Sequence, residues 1–330
     1  METVRQQPIA ILGAGSWGTA LALYLARLGQ EVRLWTCETD HAEIMLAEKM
    51  NNRYLPGIPF PPSLVPTLSI KEAVKGVKDI LLVVPSEGFR DTINFLKPVL
   101  QPTMRLICAA KGLDPLTGQL LHEVKEEMLG TSHPYAILSG PSFAREVAMG
   151  LPTAVVIASP NEPFSQELWQ RFNSPLFRIH LSTDLVGVEI GGSVKNVIAI
   201  ATGLSDGLEN GANARSVLMT RALEEMMRLG LALGAQSSTF MGLAGIGDLI
   251  LTCTDNQSRN RRFGLALAKG KNAADAAREI SQVVEGKRNA ELIAQLAKKT
   301  QVTMPIVEMV WNIVQEKMNP TEAMQQLFAH

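Results

Sequence analysis

The chain has 330 residues, 46% of them hydrophobic, and a formal net charge of −1. The length sets an expectation of two domains at about 150 residues each, and the apolar content excludes a disordered chain. The near-neutral charge argues against a nucleic-acid partner, which would need a basic footprint.

Cys37, Cys108 and Cys253 are widely separated, odd in number and without metal-ligand spacing. This indicates reduced thiols in a cytoplasmic protein and no metal site. The N-terminus METVRQQ is too short and polar for a signal peptide. No run of about 18 apolar residues stands out, so no stable membrane insertion is expected.

In chain order, the apolar run Ile9 to Leu12 reads as a strand, and GAGSWG from Gly13 to Gly18 follows it at once. A helix-like run continues from Thr19 to Leu28. G-x-G-x-x-G between a strand and a helix is the dinucleotide fingerprint. Gly13 serves the tight turn, Gly15 the approach of backbone to a pyrophosphate, and Gly18 the close packing of helix on strand. The alternative is a structural glycine turn, which the flanking pattern disfavours.

Gly29 should end the helix, and Glu31 to Thr36 reads as a second strand. Phe60 to Pro66 reads as a proline-rich surface loop. Asp79 to Pro85, Arg105 to Ala110, Tyr135 to Leu138 and Thr153 to Ala158 are continuous apolar runs, as expected of parallel strands covered on both faces. Phe177 to Ser182 alternates like an edge strand. Strands alternating with helices predict a doubly wound, Rossmann-type parallel sheet.

Beyond Thr183 the pattern is helical. Asp184 can cap a helix running toward Leu204, and Asn213 another ending near Gly234. In that second helix Leu218, Ala222, Leu223, Met226 and Met227 mark a buried face. Asn272 to Lys298, Met304 to Lys317 and Thr321 to Phe328 also read as helices. The expected organisation is a dinucleotide-binding domain over 1–182 and an all-helical catalytic domain over 183–330.

Three patches do not look like ordinary core. Lys111 follows a strand, where ligands of doubly wound sheets bind, although an exposed lysine on a turn would look the same. Gly191 and Gly192 sit in a helical run and cost roughly 2 kcal/mol against alanine. They point either to a helix crossing or to a close ligand, with Lys195 and Asn196 just beyond. A lysine can serve as general acid or base once its surroundings lower its pKa. The third patch runs from Gly245 through Asp248 and Thr252 to Ser258–Arg262. Its arginines suit a phosphate, and a solvated basic helix start is the plain alternative.

The sequences GAGSWGTALA, NNRYLPG, AAKGL, LSGPSFA, GGSVKNVIAIATG, DGLENGANARS, GLAGIGDLILTC and NQSRNRRFG together resemble the bacterial NAD(P)-dependent glycerol-3-phosphate dehydrogenases, end to end. The resemblance implies reversible reduction of dihydroxyacetone phosphate to sn-glycerol 3-phosphate for phospholipid synthesis, in a homodimer. It implies that Lys195 is the general acid/base, with Lys111 and Asp248 beside it; on the chemistry of the residues, Asp248 is expected to orient Lys195. It places Lys111, Gly140, Ser142, Lys195, Asp248, Thr252, Ser258, Arg259 and Asn260 around a small phosphorylated substrate. It assigns Ser16, Trp17, Lys111, Ala144, Arg259, Val283 and Glu285 to the cofactor, beside Gly13, Gly15 and Gly18.

NAD-specific sites carry an acidic residue at the end of the second strand. Here no carboxylate occurs before Glu38. Relatives in the family carry a basic residue or histidine near Cys37 for the 2′-phosphate, and Cys37 departs from that. Arg53 or Arg33 would have to supply the charge. NADP is therefore the expected cofactor, with NAD as the alternative. Two rival functions share this plan: another two-domain hydroxyacid or ketopantoate-type reductase, and a non-catalytic NAD(P)-sensing protein. The first would not need the Ser258–Arg262 cluster, and the second would have no use for Lys195 and Asp248.

Overall fold

The computed structural model describes residues 5–280 and 282–329. Eight strands form one sheet: β1 (Ile9–Leu12), β2 (Val32–Trp35), β3 (Leu64–Thr67), β4 (Asp79–Leu82), β5 (Arg105–Cys108), β6 (Tyr135–Ser139), β7 (Thr153–Ala158) and β8 (Phe177–Ser182). Their order is β3-β2-β1-β4-β5-β6-β7-β8. The chain leaves β1 to one side for β2 and β3, then returns to its other side for β4. This makes β1 and β4 the switch point at which such sheets bind ligands. β1, β4 and β5 are buried at every position, which is why they read as unbroken apolar runs. β8 alternates buried and exposed residues along its first four positions and lies at the sheet edge.

Two expectations for the sheet need correction. The sheet is mostly parallel, but β6 and β7 pair antiparallel, while β7 and β8 are parallel to each other. Residues 140–152 hold only the short Ala144–Met149 helix, and Gly150 turns left-handed at its end. The chain turns back after this helix, so β7 runs against β6. The proline-rich segment also does not remain a loop: Leu64–Thr67 pairs with Val32–Trp35, and Pro66 lies opposite Leu34. β3 is an edge strand, so the missing proline N–H forfeits no ladder bond.

The chain divides into two compact units, Met1–Ala110 with Leu121–Leu185, and Lys111–Leu120 with Val186–His330. The division is not the single cut near residue 182 that composition indicates. Leu113 and Leu120 are buried in the same apolar cluster as Ile190 and Val194, so Lys111–Leu120 belongs with the helical unit. All eight strands lie in the first unit.

In the second unit the Leu185–Gly207 helix is buried nearly throughout. It is long and apolar enough to cross a membrane, yet 89% of its most apolar window is buried within the protein. Its apolarity is that of a core helix. Gly203 on this helix and Gly264 on the Arg259–Ala268 helix let the two backbones touch. A Cβ on Gly203 would lie 2.1 Å from the Arg261 carbonyl oxygen, and one on Gly264 would lie 2.1 Å from that of Ile200. The next helix spans Gly211–Ala232, so its start lies before Asn213, with Asn210 at the N-cap. Leu218, Ala222 and Met226 are fully buried on its inner face. The single helix expected over 272–298 is instead two, Ala273–Ile280 and Glu285–Lys299.

Glu225 is buried on the Gly211–Ala232 helix and accepts the Ile306 N–H at 2.9 Å and the Val307 N–H at 3.4 Å. It thereby satisfies orphan donors at the start of the Pro305–Val314 helix. Burial pushes its carboxyl up to about 7, and the two N–H donors only partly oppose this. The folded state therefore holds this proton more tightly than the unfolded chain does. The contribution is fully present below the ordinary carboxylate range and is lost as pH rises through about 7. Melting temperatures of wild type and Glu225→Gln should diverge accordingly: wild type loses stability relative to the variant between about pH 5 and about pH 8. A difference independent of pH would contradict this reading.

Candidate active site

In the first unit the glycine loop leaves β1 with Gly13 at φ +117°. A Cβ on Gly13 would lie 2.7 Å from the Val83 carbonyl oxygen, just past β4, and one on Gly18 would lie 1.9 Å from the Gly13 carbonyl oxygen. Neither position admits a side chain. A Cβ on Gly15 would meet nothing within 4 Å, so backbone faces open space at the head of the Ser16–Arg27 helix. The Trp17 indole Nε1 is buried without a hydrogen-bond partner among the described residues. Ser16 Oγ donates to the Tyr54 carbonyl at 2.7 Å. Tight packing at two glycines, open space at the third and an orphaned indole donor fit a dinucleotide pyrophosphate on this loop.

Beyond β2, Cys37 is exposed. Arg53 Nη1 pairs with Glu38 Oε2 at 2.6 Å, and the Tyr54 hydroxyl donates to Glu38 Oε1 at 3.4 Å. Arg33 is committed elsewhere, to Glu31 and to the carbonyls of Glu72 and Lys75. Of the two arginines weighed from sequence for the 2′ position, only Arg53 stands beside Glu38. Gly140, Ser142 and Ala144 follow β6 in the first unit, where the Ser142 hydroxyl donates to the Gly140 carbonyl at 2.9 Å.

The second unit gathers the lysines. The π-helical turn Leu243–Gly247 leads into the Asp248–Thr254 helix. A Cβ on Gly191 would lie 2.2 Å from the Ala244 carbonyl oxygen. Gly191 thus serves a helix crossing, which also positions the nearby lysine. Lys195 lies one turn beyond Gly191, and Asp248 four residues beyond Ala244, so the backbone contact sets their side chains face to face. Lys195 Nζ donates to Asp248 Oδ1 at 2.6 Å and to Thr252 Oγ1 at 2.9 Å. Lys111 Nζ donates to the other carboxylate oxygen, Oδ2, at 2.8 Å. Thr252 Oγ1 in turn donates to the Asp248 carbonyl at 2.6 Å.

Asp248 is 1% exposed and Lys195 is 6% exposed. Lys195 is therefore not a solvated surface lysine. Burial pushes its ammonium down to about 8. The Asp248 carboxylate opposes that shift, and the Lys111 ammonium adds to it. Burial alone would raise the Asp248 carboxyl, but the two ammonium groups outweigh it and hold the group below the ordinary carboxylate range. Two cations on one carboxylate leave the cluster with a net positive charge, suited to an oxygen that gains negative charge.

A chain of asparagines fixes the backbone around this cluster. Asn196 and Asn289 both donate to the Lys111 carbonyl, at 3.3 and 3.2 Å. Asn260 Nδ2 donates to Asn196 Oδ1, and Asn260 Oδ1 accepts the Gly286 N–H, both at 2.9 Å. Glu285 lies beside Asn196, and Val283 is exposed. Ser258 Oγ caps the Arg259–Ala268 helix by accepting the Arg261 N–H. Arg261 is spent on Asp206, Asn256 and the Cys253 carbonyl. Arg259, at the first position of that helix, is half-buried. Asn289 is fully buried and escaped the sequence reading, because a lone asparagine on a helix carries no spacing signal.

Comparisons with known proteins cover nearly the whole chain. The family profile described as NAD-dependent glycerol-3-phosphate dehydrogenase N-terminus matches residues 8–165, and its C-terminus counterpart matches residues 184–325. A glycerol-3-phosphate dehydrogenase [NAD(P)+] from Haemophilus ducreyi is 51% identical over 315 residues, covering 95% of this chain and 94% of that protein. One from Vibrio cholerae is 49% identical over 322 residues, covering 97% and 94%. The crystal structure of glycerol-3-phosphate dehydrogenase from Coxiella burnetii superposes with a TM-score of 0.97 at 51% identity, covering 99% of this chain and all of that one.

Proposed function

The chain belongs to the NAD-dependent glycerol-3-phosphate dehydrogenase family, and on that premise we propose which residues perform the reversible reduction of dihydroxyacetone phosphate to sn-glycerol 3-phosphate. The observation that carries the assignment is Asp248 held between the ammonium groups of Lys195 and Lys111.

When bound, a reduced nicotinamide supplies the hydride to the ketone carbon. Lys195 meets the negative charge that grows on the carbonyl oxygen and donates the proton. In the oxidative direction its neutral amine takes the hydroxyl proton. With a pKa near 8, both forms are accessible near neutral pH. Asp248 aims the Lys195 Nζ, Thr252 fixes its second donor, and Lys111 provides further positive charge. Arg259, with the N–H groups of the helix start capped by Ser258, takes the substrate phosphate as a charge-assisted pair. Asn260 acts by position, since its amide is committed to Asn196 and Gly286.

Gly13, Gly15, Gly18, Ser16 and Trp17 would hold the dinucleotide. From the family resemblance, Ala144, Val283 and Glu285 complete its contacts, and Gly140 and Ser142 those of the substrate. The cofactor is NAD(P), with NADP preferred: the Arg53–Glu38 pair is exposed, hence weak, and a 2′-phosphate next to Cys37 can draw Arg53 away. The same resemblance supports a cytoplasmic homodimer whose product serves phospholipid synthesis. The free thiols and near-zero net charge are in keeping with that compartment and with no nucleic-acid partner.

Lys195→Ala should lower kcat by about 10²–10⁴-fold with dinucleotide affinity retained. Near-normal turnover in the dihydroxyacetone phosphate assay at 340 nm would contradict the role. Arg259→Ala should act mainly on KM for dihydroxyacetone phosphate, raising it by about tenfold or more, as loss of a charge-assisted bond would. An unchanged KM, or equal use of unphosphorylated dihydroxyacetone by the native enzyme, would remove the phosphate clamp.

A further inference from the structure

Asn51 lies in the segment NNRYLPG, outside every group assigned above, and is 1% exposed. Its amide uses all of its hydrogen-bonding capacity. Nδ2 donates to the Ala14 carbonyl and to Thr19 Oγ1, each at 2.8 Å. Oδ1 accepts the Tyr54 N–H at 3.2 Å and lies 3.0 Å from His41 Nε2. Ser16 Oγ adds a second stitch to the same segment through the Tyr54 carbonyl. One buried side chain therefore ties residues 51–54 to both ends of the glycine loop.

The consequence follows from peptide geometry. A trans peptide is planar, so the C=O and N–H of one peptide unit point in opposite directions. Asn51 holds the Ala14 carbonyl inward, which turns the Gly15 N–H of the same peptide outward. Around the same residue a Cβ would meet nothing within 4 Å, so the backbone at Gly15 is open to a ligand. Glycine on one side of this peptide leaves it free to turn; Thr19 Oγ1 reaches the Ala14 carbonyl only at 3.4 Å, so the 2.8 Å bond from Asn51 is the closer restraint.

We propose that Asn51 is a positioning residue for the cofactor: it sets the Ala14–Gly15 peptide so that the Gly15 N–H donates to a dinucleotide pyrophosphate. The inference rests on the dinucleotide reading of the loop. It predicts that the loop's affinity for a pyrophosphate is set by a side chain 37 residues away in sequence.

The test is isothermal titration with NADPH and with ADP-ribose, which keeps the pyrophosphate and lacks the nicotinamide. Asn51→Asp preserves shape but removes both N–H donors. Its dissociation constants for both probes should rise about tenfold or more, the loss of one charge-assisted hydrogen bond. KM for dihydroxyacetone phosphate, and kcat at saturating cofactor, should stay within about twofold. Unchanged dissociation constants, or a loss of all parameters together with melting temperature, would overturn the positioning role. Failure of the wild type itself to bind either probe would instead overturn the dinucleotide reading. Hydrogen–deuterium exchange on the wild type makes the test independent of variant folding. The Gly15 amide should become protected when ADP-ribose is added, and an amide that exchanges equally fast with and without it would refute the proposal.

Discussion

The chemistry of this protein depends on one buried carboxylate shared by two ammonium groups. Asp248 could not remain ionised at 1% exposure without Lys195 and Lys111, and the lysines could not sit so close together without Asp248. An ion triad of this kind is weak evidence for stability, since desolvation offsets much of the attraction. Its value is in setting a proton affinity. Burial and a neighbouring cation lower the Lys195 pKa, the carboxylate limits the fall, and the result lies near 8.

Much of the helical unit can be understood as the support this triad requires. The Gly191 contact with Ala244 brings two backbones together one turn from the lysine and its partner. Gly203 and Gly264 make a second crossing further along the same helix. A Cβ at any of these positions would drive the backbones apart, so the glycines serve packing and, through packing, the distance between Lys195 and Asp248. Asn196, Asn260 and Asn289 then fix the carbonyl of Lys111 and the start of the Glu285–Lys299 helix. The same device recurs in the first unit, where Asn51 fixes a loop of glycines. In both places a buried amide, fully or largely paired, stabilises backbone that would not hold its geometry unaided.

Some of this was legible in the sequence because single residues face local demands. Gly13 and Gly18 each answer a separate steric requirement, and β1, β4 and β5 are continuous apolar runs because both sheet faces are covered. The lysines and Asp248 were recognisable as candidates from their glycine-rich surroundings and family resemblance, while their sharing of a single carboxylate depends on tertiary packing. What escaped was non-local. Pro66 hid β3 because only an edge strand tolerates it, and edge status depends on sheet order. The antiparallel pairing of β6 and β7 depends on the path of their connection, whose direction no periodicity records. Lys111–Leu120 joins the helical unit through the burial of Leu113 and Leu120, which look like any apolar loop residues in sequence. Asn51 and Asn289 gave no signal because a buried amide is defined by its partners.

The most direct measurement is the pH dependence of kcat/KM for dihydroxyacetone phosphate in wild type and Asp248→Asn. If Lys195 is the proton donor, the reduction rate falls as pH rises through about 8, and the oxidation rate of glycerol 3-phosphate climbs through the same range. Removing the carboxylate leaves the lysine beside another cation alone, so the inflection in the variant should move to lower pH. A wild-type profile without an inflection between about pH 7 and about pH 9, or one that stays in place in Asp248→Asn, would contradict the assignment of Lys195 as an acid tuned by Asp248.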